Sequence, residues 1–300
     1  MKVRKVLICD PISESALNKL REKGIEVIDA SNEPKDKLKE LVKGVDVMVV
    51  RSATKVRKEL IDEMDQMKLI IRGGVGLDNI DVEYAESKGI KVLNTPRAST
   101  ISVAELTFAH ILALARDVTR STIAIKEGRW EKKKLKGMEL YGKTLGLIGI
   151  GRIGQEVAKR AIAFGMYVIA YRRSRKPVRG VELVDLDTLL RNSDIISIHC
   201  PLTDETRHLL GEEEFKKMKD GVIIVNCARG GIIDEKALIK YVKSGKVRGV
   251  GLDVFEEEPP TNKELLSLPN VSFTPHIGAQ TKEAQERVGE EVVETILGFF

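Results

Sequence analysis

Little in this chain could staple it, anchor it or mark it for a polyanion. Its three cysteines, Cys9, Cys200 and Cys227, lie far apart, with no C-x-x-C pair and no zinc spacing. They read as buried thiols, and no metal is expected. Nowhere do about 18 apolar residues run together, so no membrane span is expected. The opening MKVRKVLICDP leads directly into a strand-like run without the apolar core and cleavage site of a leader, which makes a cytoplasmic location the expectation. A large excess of one charge is also missing. Fifty Lys and Arg against 45 Asp and Glu leave +5, spread through both signs, which fits small anionic ligands and argues against nucleic acid as a partner. Aromatics are scarce at 4%. What remains, 42% hydrophobic and 32% charged over 300 residues, describes an ordinary globular chain long enough for two domains.

Short apolar runs alternate with amphipathic stretches from the start: VRKVLIC, ISESALNKLREKG, IEVI, PKDKLKELVKG, VDVMVV, KELIDEM, KLIIR. That rhythm predicts βαβ units and a parallel sheet, with VMVV apolar enough to be covered on both faces. After the turn Asn94 to Pro96, one long helix is expected over ISVAELTFAHILALARDVTRSTIAIKEG, matched in length only by the C-terminal TKEAQERVGEEVVETILGFF. Such a pair suits a chain that crosses into a second domain and returns. A second βα series runs from KTLGLIGIGRIG through YVIAY, DIISIHC, GVIIVN and VRGVGLDVF to VSFTP.

The start of that second series carries the most specific local signal. Gly149, Gly151 and Gly154 form G-x-G-x-x-G between the strand TLGLIGI and the helix RIGQEVAKRAIAFG. In that setting Gly149 permits a tight turn, Gly151 close approach of a pyrophosphate, and Gly154 close helix packing, so NAD or NADP is the expected cofactor. About 20 residues on, where an acid would hold the ribose of NAD, stands Arg172. The run Arg172, Arg173, Ser174, Arg175, Lys176 offers cations and a hydroxyl where a 2′-phosphate would lie, which favours NADP on charge grounds. The alternative is a solvated basic loop.

Three stretches late in the series suit the movement of a hydride and a proton: VNCARGGIID with Arg229, GLDVFEEEP with Asp253 and Glu258, and TPHIGAQT with His276. The first two follow strands and so belong at the carboxyl edge of the sheet, where α/β proteins place ligands. Oxidising a secondary alcohol beside a carboxylate requires a base for the hydroxyl proton and a cation for the carboxylate. His276 can be the first, Glu258 would favour its imidazolium form, and Arg229 offers a planar fork for the carboxylate. Singly, each also reads as an ordinary surface charge or helix-entry residue. His110, His199 and His208 fall in a helix, at a strand end and in a polar turn, without a comparable acid and arginine.

Together VRSATKV, RGGVGLDNID, NTP with SVAEL, LYGKTLGLIGIGRIGQEVAKR, HCPLT, VNCARGGIID, GLDVFEEEP and PHIGAQT resemble the D-isomer-specific 2-hydroxyacid dehydrogenase family over essentially the whole chain. Within it the short-form phosphoglycerate dehydrogenases, enzymes of serine biosynthesis, are the most similar. The resemblance implies a Rossmann dinucleotide-binding domain, residues 98–276, inserted into a split flavodoxin-like substrate domain, residues 1–97 and 277–300. It further implies a homodimer built mainly on the nucleotide domains. Substrate binding falls to Arg229, orientation of His276 to Glu258, and a nicotinamide contact to Asp253. Further cofactor contacts are implied at Arg152, Ile153 and Pro201.

In the first domain, the amides of Gly74, Val75 and Gly76 could hold a carboxylate, as similar loops in the family do. Arg51, Ser52 and Arg72 match the phosphoglycerate type, and Lys132 falls where relatives carry a cation reaching a neighbouring subunit. Two departures stand out. Ser99 replaces a common Asn, and Arg172 replaces the usual Asp, as is more typical of the family's glyoxylate and hydroxypyruvate reductases. A reductase of that kind is the nearest alternative. A dinucleotide-sensing corepressor is a distant one, since such a protein would be expected to carry partner-binding tails.

Overall fold

The computed structural model describes residues 3–173 and 176–300. The chain forms two compact units, Met1–Thr100 with Ala279–Phe300, and Ile101–Gly278. Both are parallel-sheet α/β units, one with five strands and one with seven.

The first unit is built on β1 (Lys5–Ile8), β2 (Glu26–Asp29), β3 (Val47–Val50), β4 (Leu69–Arg72) and β5 (Lys91–Asn94), in the order β2-β1-β3-β4-β5. This is the doubly wound order of flavodoxin-like sheets. All four residues of β3 are buried, because alternate side chains enter separate cores. Leu7, Met48, Val50 and Ile70 point one way. Val6, Ile8, Val47, Val49, Leu69 and Ile71 point the other, where Val288, Val292 and Ile296 of the helix Lys282–Phe299 cover them. That helix starts on a true cap, Thr281 accepting from the Ala284 N–H at 3.1 Å. It lies close to the helix Glu14–Glu22, since a Cβ at Gly289 would sit 2.8 Å from the Ala16 methyl.

The second unit contains β6 (Thr144–Ile148), β7 (Tyr167–Tyr171), β8 (Glu182–Leu183), β9 (Ile195–Ile198), β10 (Val222–Asn226), β11 (Val247–Leu252) and β12 (Val271–Phe273). Their order is β12-β11-β10-β9-β6-β7-β8. Counted from β6 this is the dinucleotide-fold order 3-2-1-4-5-6 with one added edge strand, and the order reverses between β6 and β9, which are hydrogen-bonded neighbours. Ligands bind such sheets at the carboxyl ends flanking that reversal.

Two local expectations change. The expected long helix is two, Thr100–Ala115 and Val118–Lys126, broken at Asp117. Asp117 is buried at φ +53°, a left-handed conformation that its short polar side chain tolerates, and it accepts from Arg248 Nη2 at 3.4 Å. PKDKLKELVKG shrinks to a 3₁₀ turn at Lys35–Lys37 and one helical turn at Leu38–Leu41. The short strands β5 and β8 had no separate signal. Among the described residues no helix is long and apolar enough to cross a membrane.

Candidate active site

The dinucleotide loop starts where β6 ends. Gly149 turns at φ +94°, and a Cβ there would lie 2.8 Å from the His199 carbonyl and the Cys200 nitrogen, so only glycine fits. Gly151 caps the helix Arg152–Ala163, and a Cβ on it would meet nothing within 4 Å, which leaves open space before the helix N-terminus. A Cβ at Gly154 would be 2.6 Å from the Gly149 carbonyl, so this glycine seats the helix on the turn. The arrangement fits a pyrophosphate at Gly151. Arg152 is exposed and Ile153 half-buried at the helix start. Pro201, just beyond β9, closes a turn by accepting from Thr206 Oγ1 at 2.7 Å. Arg172 follows β7 half-buried, while Arg173 pairs with Glu205 at 2.5 Å. Ser174 and Arg175 lie outside the described residues. Gly149, Arg172 and Pro201 thus sit at the carboxyl ends of three adjacent strands.

The groups suited to proton transfer come from the next three strands. Past β10, Asn226 folds its own loop: Oδ1 accepts from the Ala228 N–H at 3.0 Å, and Nδ2 donates to the Arg229 carbonyl at 2.8 Å. A Cβ at Gly230 would fall 1.7 Å from the Phe255 carbonyl oxygen, so the backbones of the Arg229 and Glu258 loops are in direct contact. Glu258 Oε1 accepts from the Phe255 N–H at 3.2 Å, and Oε2 meets His276 Nδ1 at 2.8 Å. Burial alone would raise the Glu258 pKa. The bond to His276, the charge of that ring, the Phe255 N–H and the Arg229 charge together outweigh it and hold the carboxyl below its usual range.

His276 follows β12 at φ +54°, a conformation that persists only where its surroundings enforce it. Asp253 does so. Its Oδ1 accepts from the Ile277 N–H at 2.8 Å and Thr274 Oγ1 at 2.6 Å, and its Oδ2 from the Gly278 N–H at 2.8 Å. The resemblance implied a nicotinamide contact for Asp253. Here the carboxylate is 1% exposed and braces the turn that carries the histidine. With Nδ1 on Glu258, Nε2 is the ring nitrogen left to exchange a proton.

The other histidines are differently placed. His110 packs against Ser272 Oγ at 2.8 Å and Thr274 Oγ1 at 3.1 Å, and burial lowers its pKa. Since Thr274 donates to Asp253, it must accept from Nε2–H of His110, which makes Nε2–H the tautomer of the neutral ring. His199 is pushed down to about 4 by burial.

In the first unit, Arg51 directly follows β3, Arg72 ends the adjacent β4, and the two converge on two glycines. A Cβ at Gly73 would lie 3.2 Å from Arg51 Cγ, and one at Gly74 only 1.5 Å from Arg72 Nη1. The Gly74 carbonyl is taken by the Thr95 N–H at 3.1 Å and that of Val75 by Asn94. Among the described residues no acceptor meets the amides of Gly74, Val75 and Gly76, which leaves a nest suited to an anion. Burial works against the Arg51 charge, partly offset by Asp10. Arg51 Nη1 donates to Gln285 and, at 3.4 Å, to the Pro11 carbonyl. Ser52 and Lys132 are exposed.

Sequence reading missed the groups that hold these loops. Asp10, 2% exposed, accepts from the N–H of Arg51 at 2.6 Å and of Thr54 at 3.1 Å and pairs with Lys35 at 3.0 Å. An acid directly after the apolar KVLIC was the available signal. His110 was visible as a lone polar group on an apolar helix face.

The family model for the D-isomer-specific 2-hydroxyacid dehydrogenase NAD-binding domain matches residues 108–278. A hydroxypyruvate reductase of Thermotoga maritima is 57% identical, covering 97% of both chains. A D-3-phosphoglycerate dehydrogenase of Methanocaldococcus jannaschii is 52% identical over 97% of this chain, which spans 56% of that protein. The crystal structure of a glyoxylate reductase from Paecilomyes thermophila is 35% identical, covers 99% of this chain and 95% of that one, and superposes with a TM-score of 0.90.

Proposed function

This chain belongs to the D-isomer-specific 2-hydroxyacid dehydrogenase family, and from that premise we propose that it interconverts 3-phospho-D-glycerate and 3-phosphohydroxypyruvate, the entry to serine biosynthesis. A bound nicotinamide dinucleotide supplies the hydride acceptor or donor. Gly149, Gly151, Arg152, Ile153 and Gly154 would hold its pyrophosphate, with Pro201 beside them. His276 Nε2 takes the hydroxyl proton in oxidation and returns it to the oxo oxygen in reduction. Glu258 fixes the ring through Nδ1 and stabilises the imidazolium, and Arg229 forks the substrate carboxylate while its charge helps keep Glu258 ionised.

The observation that carries the substrate reading is the pair of guanidinium side chains, Arg51 and Arg72, packed on Gly73 and Gly74 beside open amides. A phosphate and a carboxylate on one small molecule would use both features. A second reading, reduction of unphosphorylated hydroxypyruvate or glyoxylate, is supported by Gln285 and Pro11 already engaging Arg51 and by the likeness to the Thermotoga reductase over 97% of both chains. For the cofactor, Arg172 at the end of β7 favours NADP(H) over NAD(H). The functional form is a homodimer, with Lys132 from the second subunit adding to phosphate recognition.

Reduction of phosphohydroxypyruvate, hydroxypyruvate and glyoxylate, each with NADH and NADPH, tests all of this in one panel. Wild-type protein should prefer the phosphorylated substrate and bind NADPH at least as well as NADH. Arg51→Ala should lower kcat/KM for phosphohydroxypyruvate by about 10- to 100-fold, the loss expected for a charge-assisted bond, with hydroxypyruvate nearly unaffected. Equal losses on both, or a wild-type preference for the unphosphorylated acid, moves the assignment to the reductase. A clear NADH preference refutes the role of Arg172.

A further inference from the structure

Behind the catalytic loops lies a cluster that the chemistry above does not use. The N–H of Glu235 donates to Glu256 Oε1 at 3.1 Å, and the N–H of Glu256 donates back to Glu235 Oε1 at 2.9 Å. His208 Nε2 meets the same Glu256 Oε1 at 3.1 Å. Glu235 opens the helix Glu235–Lys243 that ends the Arg229 loop, and Glu256 lies two residues before Glu258. His208 belongs to a third segment running beside the first: its N–H donates to the Gly231 carbonyl at 2.7 Å, Leu210 N–H to Ile232 at 3.1 Å, and Asp234 N–H to Leu210 at 3.0 Å.

Two carboxylates facing each other should repel, and burial together with the Glu256 charge does raise the Glu235 pKa. The pair is tolerable because both acids sit at a helix N-terminus, where the first amides lack partners and negative charge is favoured. We infer that Glu235 and Glu256, with His208, are positioning residues that lock the Arg229 loop to the Glu258 loop and so fix the guanidinium relative to the His276–Glu258 pair. Asp234 already caps the helix locally, its Oδ1 accepting from the Lys236 N–H at 2.9 Å and the Ala237 N–H at 3.1 Å. Only a longer acid from the other loop ties two segments together, and the backbone contact at Gly230 leaves no room for either to shift alone.

The inference rests on the dehydrogenase reading, and its test separates the two. In protein without cofactor, the Glu235 amide should exchange slowly with deuterium, and faster in Glu256→Ala. Glu256→Gln keeps an acceptor oxygen and should retain slow exchange. In the assay Glu256→Ala should raise the KM for the 2-oxoacid about tenfold or more, as small displacements of a substrate clamp do, while the NAD(P)H dissociation constant stays put. Glu256→Gln should restore most of the loss, and in an Arg229→Lys background Glu256→Ala should cost little more. Should the alanine variant not fold, Glu256→Asp, one methylene short, is read the same way. Unchanged exchange and KM in the alanine variant, or equal damage from Ala and Gln, overturns the lock. Wild-type protein inactive on every 2-oxoacid overturns the dehydrogenase reading instead, and the exchange result still judges the lock.

Discussion

At the scale of single residues, the pH behaviour of Glu258 follows from its neighbours. Its folded pKa lies below its ordinary value, so it contributes stability above the unfolded pKa of about 4.3 and loses it as pH falls through the lower folded value. Urea unfolding midpoints of wild type and Glu258→Gln should therefore differ at pH 6 to 7 and draw together as the pH falls through the lowered folded value of Glu258. A gap that is constant with pH would mean that the carboxylate charge does nothing for the fold. Arg229, Glu258 and His276 were legible as candidates because each residue type suits the chemistry and lies in a loop just past an apolar run. Their supports were not. Asp253 acts through backbone amides of Ile277 and Gly278, and Glu235 with Glu256 stand 21 residues apart, where each looks like a solvated charge. Such bonds depend on which loops the sheet order makes neighbours, which no local pattern states.

Elements were more legible than their ends. The G-x-G-x-x-G turn was readable because each glycine answers a separate steric demand, and those demands predict separate outcomes. Gly149→Ala forces a Cβ into the His199 carbonyl at a positive φ and should lower the melting temperature by several degrees. Gly151→Ala, with φ −77° and nothing within 4 Å, should melt nearly as wild type yet bind NAD(P)H at least about tenfold more weakly, because its methyl enters the approach of the pyrophosphate. Thermal melts with cofactor titration by fluorescence check both. Unimpaired binding by Gly151→Ala would remove the phosphate from this turn. The break at Asp117 escaped sequence reading because helical periodicity runs straight through it. Only the partner Arg248, 131 residues away, reveals why an aspartate turns there.

At the scale of the whole molecule, the helix Val118–Lys126 has too little of its own chain to lie on. Only Ala124 is buried, while Val118, Ile123 and Ile125 are 51%, 50% and 56% exposed, and Trp130 beyond it is 81% exposed. Val118 and Ile125, seven residues apart, share one face with Ser121 and Thr122 between them, and on the proposed homodimer reading that face is where a partner would lie. A second copy of the chain is the partner that the homodimer reading supplies, through a two-fold contact that each copy makes with the same patch. The wild-type protein should sediment at twice the mass of one chain, and Val118→Glu with Ile125→Glu should give a folded monomer. Lys132, exposed two residues past Trp130, tests whether the dimer also completes a site. On the proposed mechanism a chain carrying His276→Ala should lose about 10²- to 10⁴-fold in turnover, and one carrying Lys132→Ala should handle phosphohydroxypyruvate poorly. If Lys132 acts across the interface, co-refolding the two variants rebuilds one intact site in every mixed dimer, and phosphohydroxypyruvate reduction recovers in part. If it acts within its own chain, or not at all, mixing adds nothing beyond the Lys132→Ala chain alone, and a monomeric wild type would end the proposal before the mixing is attempted.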